Sequence, residues 1–411
     1  MPATNGVVYP KLRNMLDAQP VDYAGQRYLL LRDMLELTSG YLMVPRPLAP
    51  ILSLCDGSHD HRELQAIMAV RYGVRVSQDE ISGLIQALEQ ALMLDNEQFL
   101  EAEQAALTVY RQAPFRPLSC APHVYPAEPE ALRSQLNSYL EVSAAGGDGR
   151  PKSFAGRGLI SPHIDYARGG PVYADVWKQA EEAARNADLV LIFGTDHYGL
   201  DRFSLTRQNY ATPYGVLETD QHLVNRLAEA LGEQAAFSGE IRHRKEHSVE
   251  LAAVWLHHVR EGRPVDLVPV LCGSFYPFIN GDEILETDPL VKNFITTLKS
   301  ATAGKQVLTV AAADLAHVGP AFGGEPLTDG GWEVLRTADE RLIQEMLGGS
   351  PKGFIGEIQQ VQDQFNVCGV SPIYLTLAAL APTQGVLAGY DTCPADPTNT
   401  SVVTICGMLL E

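Results

Sequence analysis

The chain has 411 residues, of which 45% are hydrophobic, and a formal charge of −19 at pH 7. This length allows two or three domains with substantial cores, and the acidic balance excludes a nucleic-acid surface as the main feature, because phosphate binding needs clustered Lys and Arg. No run of about eighteen apolar residues occurs, the opening MPATNGVVYPKLRN lacks the apolar core of a signal peptide, and the six scattered cysteines include no CxxC pair, so a cytoplasmic chain with reduced thiols and no membrane partner is expected.

Residues 1 to about 110 read as a separate module. Between Arg27 and Val44 the pieces YLLL and YLMV are short strands joined by a turn at Thr38-Ser39-Gly40. Asp60 with Glu63, and Ser77 with Glu80, are capping pairs ahead of apolar positions at helical spacing, the second set being Ile81, Leu84, Ile85, Leu88 and Leu92. A hairpin followed by short amphipathic helices predicts a small winged-helix-like α+β domain. Pro114, Pro117, Pro122, Pro126 and Pro129 then mark a boundary, and a second unit covers 111–411. Ala144 to Gly149 reads as a flexible connector.

In the second unit, strand and helix signals alternate. Strands are expected at 159–160, 189–193, 265–271, 306–312 and 402–409, and helices at 173–185, 221–231, 249–260, 289–299, 332–347 and 372–381. The continuous apolar runs are those of strands buried on both faces, which predicts an α/β fold whose mostly parallel or mixed sheet carries helices on both faces. Three strands deliver a His and an Asp just past their carboxyl ends: His163 and Asp165, Asp196 and His197, Asp314 and His317. In an open α/β sheet that edge is where ligands bind. A fourth segment, Lys245 to Leu251, starts a helix whose dipole lowers the pKa of a nearby imidazole, which suits His247 to proton transfer. Imidazoles and carboxylates from several strands make a mononuclear metal site, and two histidines with one carboxylate suit non-haem Fe(II).

The phrases PHIDYARGG, FGTDHYG, TPYGVLETD, EHSVELAAVWL, LVPVLCGSF, AADLAHVG and VCGVSPIYL follow one another in this order between residues 162 and 375. The chain from about 112 onward thus resembles the Memo family, known in bacteria as AmmeMemoRadiSam system protein B, and CAPHVYPAEPEALRSQL (120–136) resembles that family's opening. The resemblance implies the fold of class III extradiol ring-cleaving dioxygenases. It also implies metal ligation by His163 and His197 and acid–base work by His247. Residues 25 to 100, with LCDGSHDHRELQAIMAVRYGV and ISGLIQALEQALML, resemble PqqD-like peptide-recognition domains.

One position departs from the pattern: Ala316 stands where animal members of the family carry a cysteine at the metal site. The third ligand is then expected from His317, with Asp314, Asp165, Asp196 and Cys272 as alternatives. The resulting expectation is a divalent metal, Fe(II) first and Zn or Cu next, on His163, His197 and His317, with His247 and Asp196 as catalytic residues. The activity expected is redox or oxygen chemistry on a small molecule or a modified peptide, with a peptide or radical-SAM protein as partner. A peptide-binding scaffold and a zinc-type hydrolase using His247 and Glu250 are the alternatives. His243 is read as a surface residue, His257-His258 as charged helix-end caps, Tyr166 as a packing ring, and Cys368 as a buried thiol ahead of a helix.

Overall fold

Four apolar runs without polar alternation form adjacent parallel strands, as burial on both faces requires. The computed structural model describes residues 9–38, 40–145, 154 and 156–411; the connector expected at 144–149 therefore lies largely outside the described residues. In chain order the strands are β1 (Leu16–Tyr23), β2 (Gln26–Asp33), β3 (Tyr41–Pro45), β4 (Gly158–Ser161), β5 (Leu189–Thr195), β6 (Phe203–Leu205), β7 (Tyr210–Thr212), β8 (Gly215–Leu217), β9 (Asp266–Cys272), β10 (Val307–Ala312), β11 (His317–Val318), β12 (Gly385–Pro394) and β13 (Val402–Leu410). Two compact units divide the chain, Met1–Gln112 and Ala113–Glu411.

In the first unit β1, β2 and β3 form an antiparallel sheet, followed by helices Ala49–Leu54, His61–Arg71, Gln78–Gln90 and Glu97–Gln112. Both capping boxes are made. Asp60 Oδ1 accepts from the Arg62 and Glu63 amides at 2.8 Å, and Glu63 accepts in return from the Asp60 amide. Ser77 and Glu80 do the same for the next helix. Ile81, Leu84, Ile85 and Leu88 close on Leu31, Val44, Leu64 and Met68 in a core of the unit's own. Leu92 does not continue that helical face, because the helix ends at Gln90 and Leu92 takes a positive φ.

The second unit is built on a mixed sheet of order β11-β13-β4-β10-β5-β9-β6, with β12 paired to β13. β4, β10, β5 and β9 run parallel, whereas β6 and β13 flank them antiparallel. Alternate residues of the strands enter opposite cores. Leu191, Phe193, Val268 and Val270 meet helices Gln221–Leu231, Pro289–Ala301 and Val370–Leu380. Val190, Ile192, Leu267 and Val310 meet helices Tyr166–Gln179 and Ser248–Val259 on the other face. Register places Ala312 beside both Ser161 and Gly194, and Thr195 beside Cys272, so the four parallel strands end at one level. Among the described residues no helix is long and apolar enough to cross a membrane.

Candidate metal centre

That common edge collects the chemistry. Past β4, the backbone amides of His163 and Ile164 donate to Asp314 Oδ1 at 2.8 and 3.3 Å, which ties the loop after β4 to the loop after β10. His163 Nδ1 lies 2.9 Å from the Ala312 carbonyl. A carbonyl only accepts, so Nδ1 carries a proton and Nε2 is the nitrogen left for a ligand.

Past β5, His197 Nδ1 lies 3.1 Å from both oxygens of Glu246, and His247 Nδ1 lies 3.1 Å from Oε1 of the same carboxylate. Glu246 also accepts from the amides of His197, His247 and Ser248. One buried carboxylate thereby orients two rings and leaves both Nε2 atoms available. His247 is set against the sheet by the close seating of its helix on β5. A Cβ on Gly194 would come within 2.5 Å of Ser248 Oγ and 2.6 Å of Val249 Cγ2, and Ser248 Oγ donates to the Thr195 carbonyl at 2.8 Å.

The three rings converge. Centroids of His163 and His197 are 5.0 Å apart, those of His163 and His247 5.4 Å, and those of His197 and His247 4.7 Å. Each offers one ligand atom, and these atoms all lie within 4.8 Å of one another, a group able to hold a metal ion. Burial works against charge on His163, but Asp314, with Oδ2 3.7 Å from Nε2, raises its pKa to about 9. Burial likewise opposes charge on His197, and Glu246 more than offsets it. Burial would raise Glu246, yet the two imidazoles hold it well below the usual carboxylate range.

Cys368 joins this cluster from the start of helix Val370–Leu380. Its Sγ lies 3.3 Å from His163 Nε2. Burial alone would raise the thiol, but the nearby His163 and His317 imidazoles draw it well below its ordinary value. The sequence offered a helix start as the signal for this residue and nothing for its contact with a histidine 205 positions earlier. Glu246 was likewise visible only as the neighbour of His247.

The other expected site residues sit elsewhere. His317 is outside the three-histidine group: its Nδ1 faces the Leu315 carbonyl at 3.1 Å and its ring packs edge-on to Phe322. Ala316 is buried with Leu335 and Val402. Asp196 pairs with Arg242, which also holds Asp201 and Ser204, so the expected catalytic carboxylate fastens a loop. Asp165 caps its helix through the Arg168 amide, and Cys272 is wholly buried. Glu250, the hydrolase candidate, is buried against Arg116 and Tyr125 and accepts from the amides of Ser119 and Cys120. Those partners occupy both its oxygens. Tyr166 packs as expected and donates to the Leu251 carbonyl at 2.7 Å.

Two readings are corrected. His243 is fully buried, not a surface residue; its Nε2 lies 2.8 Å from the Ser204 carbonyl, and burial lowers its pKa to about 3. His257 and His258 are also buried, beside Thr212 and Tyr214. Burial depresses both pKa values, outweighing the helix dipole that would favour imidazolium.

A mixed α/β sheet clad on both faces, with three histidines gathered beyond its parallel strand ends, defines the class: an α/β protein with a candidate mononuclear metal site. Residues 116–408 match the Memo-like protein family, and the chain belongs to that family. A MEMO1 family protein of Aquifex aeolicus is 26% identical over 320 residues, covering 76% of this chain and 77% of the relative. One of Methanosarcina barkeri is 26% identical over 270 residues, 65% of this chain and 88% of the relative. One of Desulfurococcus amylolyticus is 29% identical over 208 residues, 49% and 68% of the two chains.

Proposed function

We propose that this protein is a metal-dependent enzyme of the extradiol-dioxygenase-like kind, in which His163, His197 and His247 hold a divalent ion. Fe(II) is the first choice, with Zn or Cu next. The observation that carries this reading is the convergence of three imidazoles whose ligand atoms lie within 4.8 Å, each ring fixed by a carbonyl or carboxylate on its other nitrogen. Such anchoring sets the tautomer needed for ligation. In this reading His247 moves from acid–base work to ligation, and His317 leaves the ligand set.

The ion, when bound, would supply a Lewis acid and, for Fe or Cu, a redox centre. The chain's own residues do the rest. Glu246 orients two rings and keeps the negative charge that favours a cation between them. Asp314 holds the His163 loop by two amides. Cys368 places a thiol next to His163, where it is able to hold or release a proton. Redox or oxygen chemistry on a small molecule or a modified peptide suits this donor set. We propose for the N-terminal unit, Met1–Gln112, the role of holding a peptide, with a radical-SAM protein as partner; its hydrophobic spacing supports this, and binding of candidate peptides to the full chain tests it.

Anaerobic purification followed by metal analysis tests the main reading. The expected result is one ion per chain, lost in His163→Ala and His197→Ala. No stoichiometric metal in the wild type, with no change in either variant, overturns it and leaves a peptide-binding scaffold.

A further inference from the structure

The Arg116 side chain is wholly buried inside the second unit, where a charge is stable only with a full set of partners. Those partners straddle His247. On the chain before it, Arg116 Nε donates to the His243 carbonyl at 2.7 Å and Nη2 to the Glu246 carbonyl at 2.9 Å. On the chain after it, Nη1 pairs with Glu250, in the first turn of helix Ser248–Val259; the same nitrogen donates to the Pro117 carbonyl at 3.0 Å. The arginine is itself tied down. Its amide donates to the Asn209 carbonyl at 2.7 Å, its carbonyl accepts from the Ala211 amide at 3.1 Å, and its guanidinium lies 5.0 Å from the centre of the Tyr210 ring.

Residues 245–247 belong to neither of the helices they join, Glu240–Arg244 and Ser248–Val259, so the backbone at Glu246 depends on contacts from outside. Its carboxylate has little room to move. A displacement of about 0.5 Å would take its 3.1 Å contacts with the His197 and His247 rings out of hydrogen-bond range. We infer that Arg116 is a positioning residue of this centre: by gripping His243, Glu246 and Glu250 it sets the Glu246 carboxylate, and through it the rings of His197 and His247. His163 is outside its reach, because the Ala312 carbonyl fixes that ring. As a statement about metal binding, this rests on the three-histidine reading given above. The task suits arginine, whose planar fork meets several acceptors along fixed directions, whereas a lysine ammonium is a single point of charge. Glu250 meets the charge of Arg116, so the guanidinium takes Glu246 by its carbonyl and leaves the carboxylate to the two imidazoles.

The test uses full-length, metal-free protein carrying isotopically labelled histidine and reads the Nδ1–H resonances of the three rings by NMR. Wild type is compared with two variants. Arg116→Lys keeps the charge and loses the fork; Arg116→Met combined with Glu250→Gln removes the ion pair without leaving one buried charge alone. In each variant the resonances of His197 and His247 should shift or be lost to solvent exchange, while that of His163 stays in place. Affinity for Co(II), titrated anaerobically, should fall at least about tenfold. A general loosening of the fold would move all three rings alike. Resonances of His197 and His247 that stay unchanged, all three rings displaced together, or a Co(II) affinity that neither variant lowers overturns the positioning role while the three-histidine site stands. The NMR readout needs no metal, so it decides on Arg116 even where the wild type binds no Co(II), the outcome that overturns the three-histidine site itself.

Discussion

Glu246 sets the angle of two rings at once, and it does so from a position the solvent cannot reach. Its five backbone and ring partners all require a carboxylate with both oxygens accepting. Glu246→Gln keeps the shape but replaces one acceptor by a donor, which turns an amide NH2 toward rings that also donate. Metal affinity should fall about 10- to 100-fold, measured by competition with a chelator, while the fold survives; an unchanged affinity would remove Glu246 from the site. His163, His197 and His247 were readable because each follows a strand end or opens a helix. Glu246 and Cys368 were not, since their significance lies in which ring nitrogen they face across contacts such as the one spanning 205 positions.

Gly194 shows how an element is fitted to the site. It lets helix Ser248–Val259 sit so close to β5 that a single methyl would meet both Ser248 and Val249. Gly194→Ala should destabilise the fold by about 1–3 kcal/mol, the usual cost of overpacking, and weaken Co(II) binding by displacing His247. Denaturant unfolding together with a Co(II) titration checks this, and no change in either means that the seating does not matter. The buried strands were legible as unbroken apolar runs, and helix Gln221–Leu231 from its spacing. The start of helix Tyr166–Gln179 was not, because Gly169-Gly170-Pro171 argues against a helix. Packing overrides that propensity: a Cβ on Gly169 would strike Ile164, and one on Gly170 would strike the Tyr139 ring. β1 was missed because LDAQPVDY is exposed or half-buried throughout and carries no apolar signal.

At the scale of the whole molecule, the class of fold was open to reading, but the order of its strands was not. β10 lies between β4 and β5, so a strand more than a hundred residues downstream separates the two that carry His163 and His197, and Asp314 reaches His163 only because of that crossover. Nothing in local spacing encodes this. The family match begins at residue 116 and leaves the N-terminal unit outside it, although that unit has its own core. The account as a whole depends on one ion at one point. Anomalous diffraction at the metal edge, from crystals grown anaerobically with the ion found on purification, tests it most directly. A single peak about 2.0–2.1 Å from a nitrogen of each of His163, His197 and His247 is the predicted result; no peak there, or a peak bonded to other side chains, contradicts it.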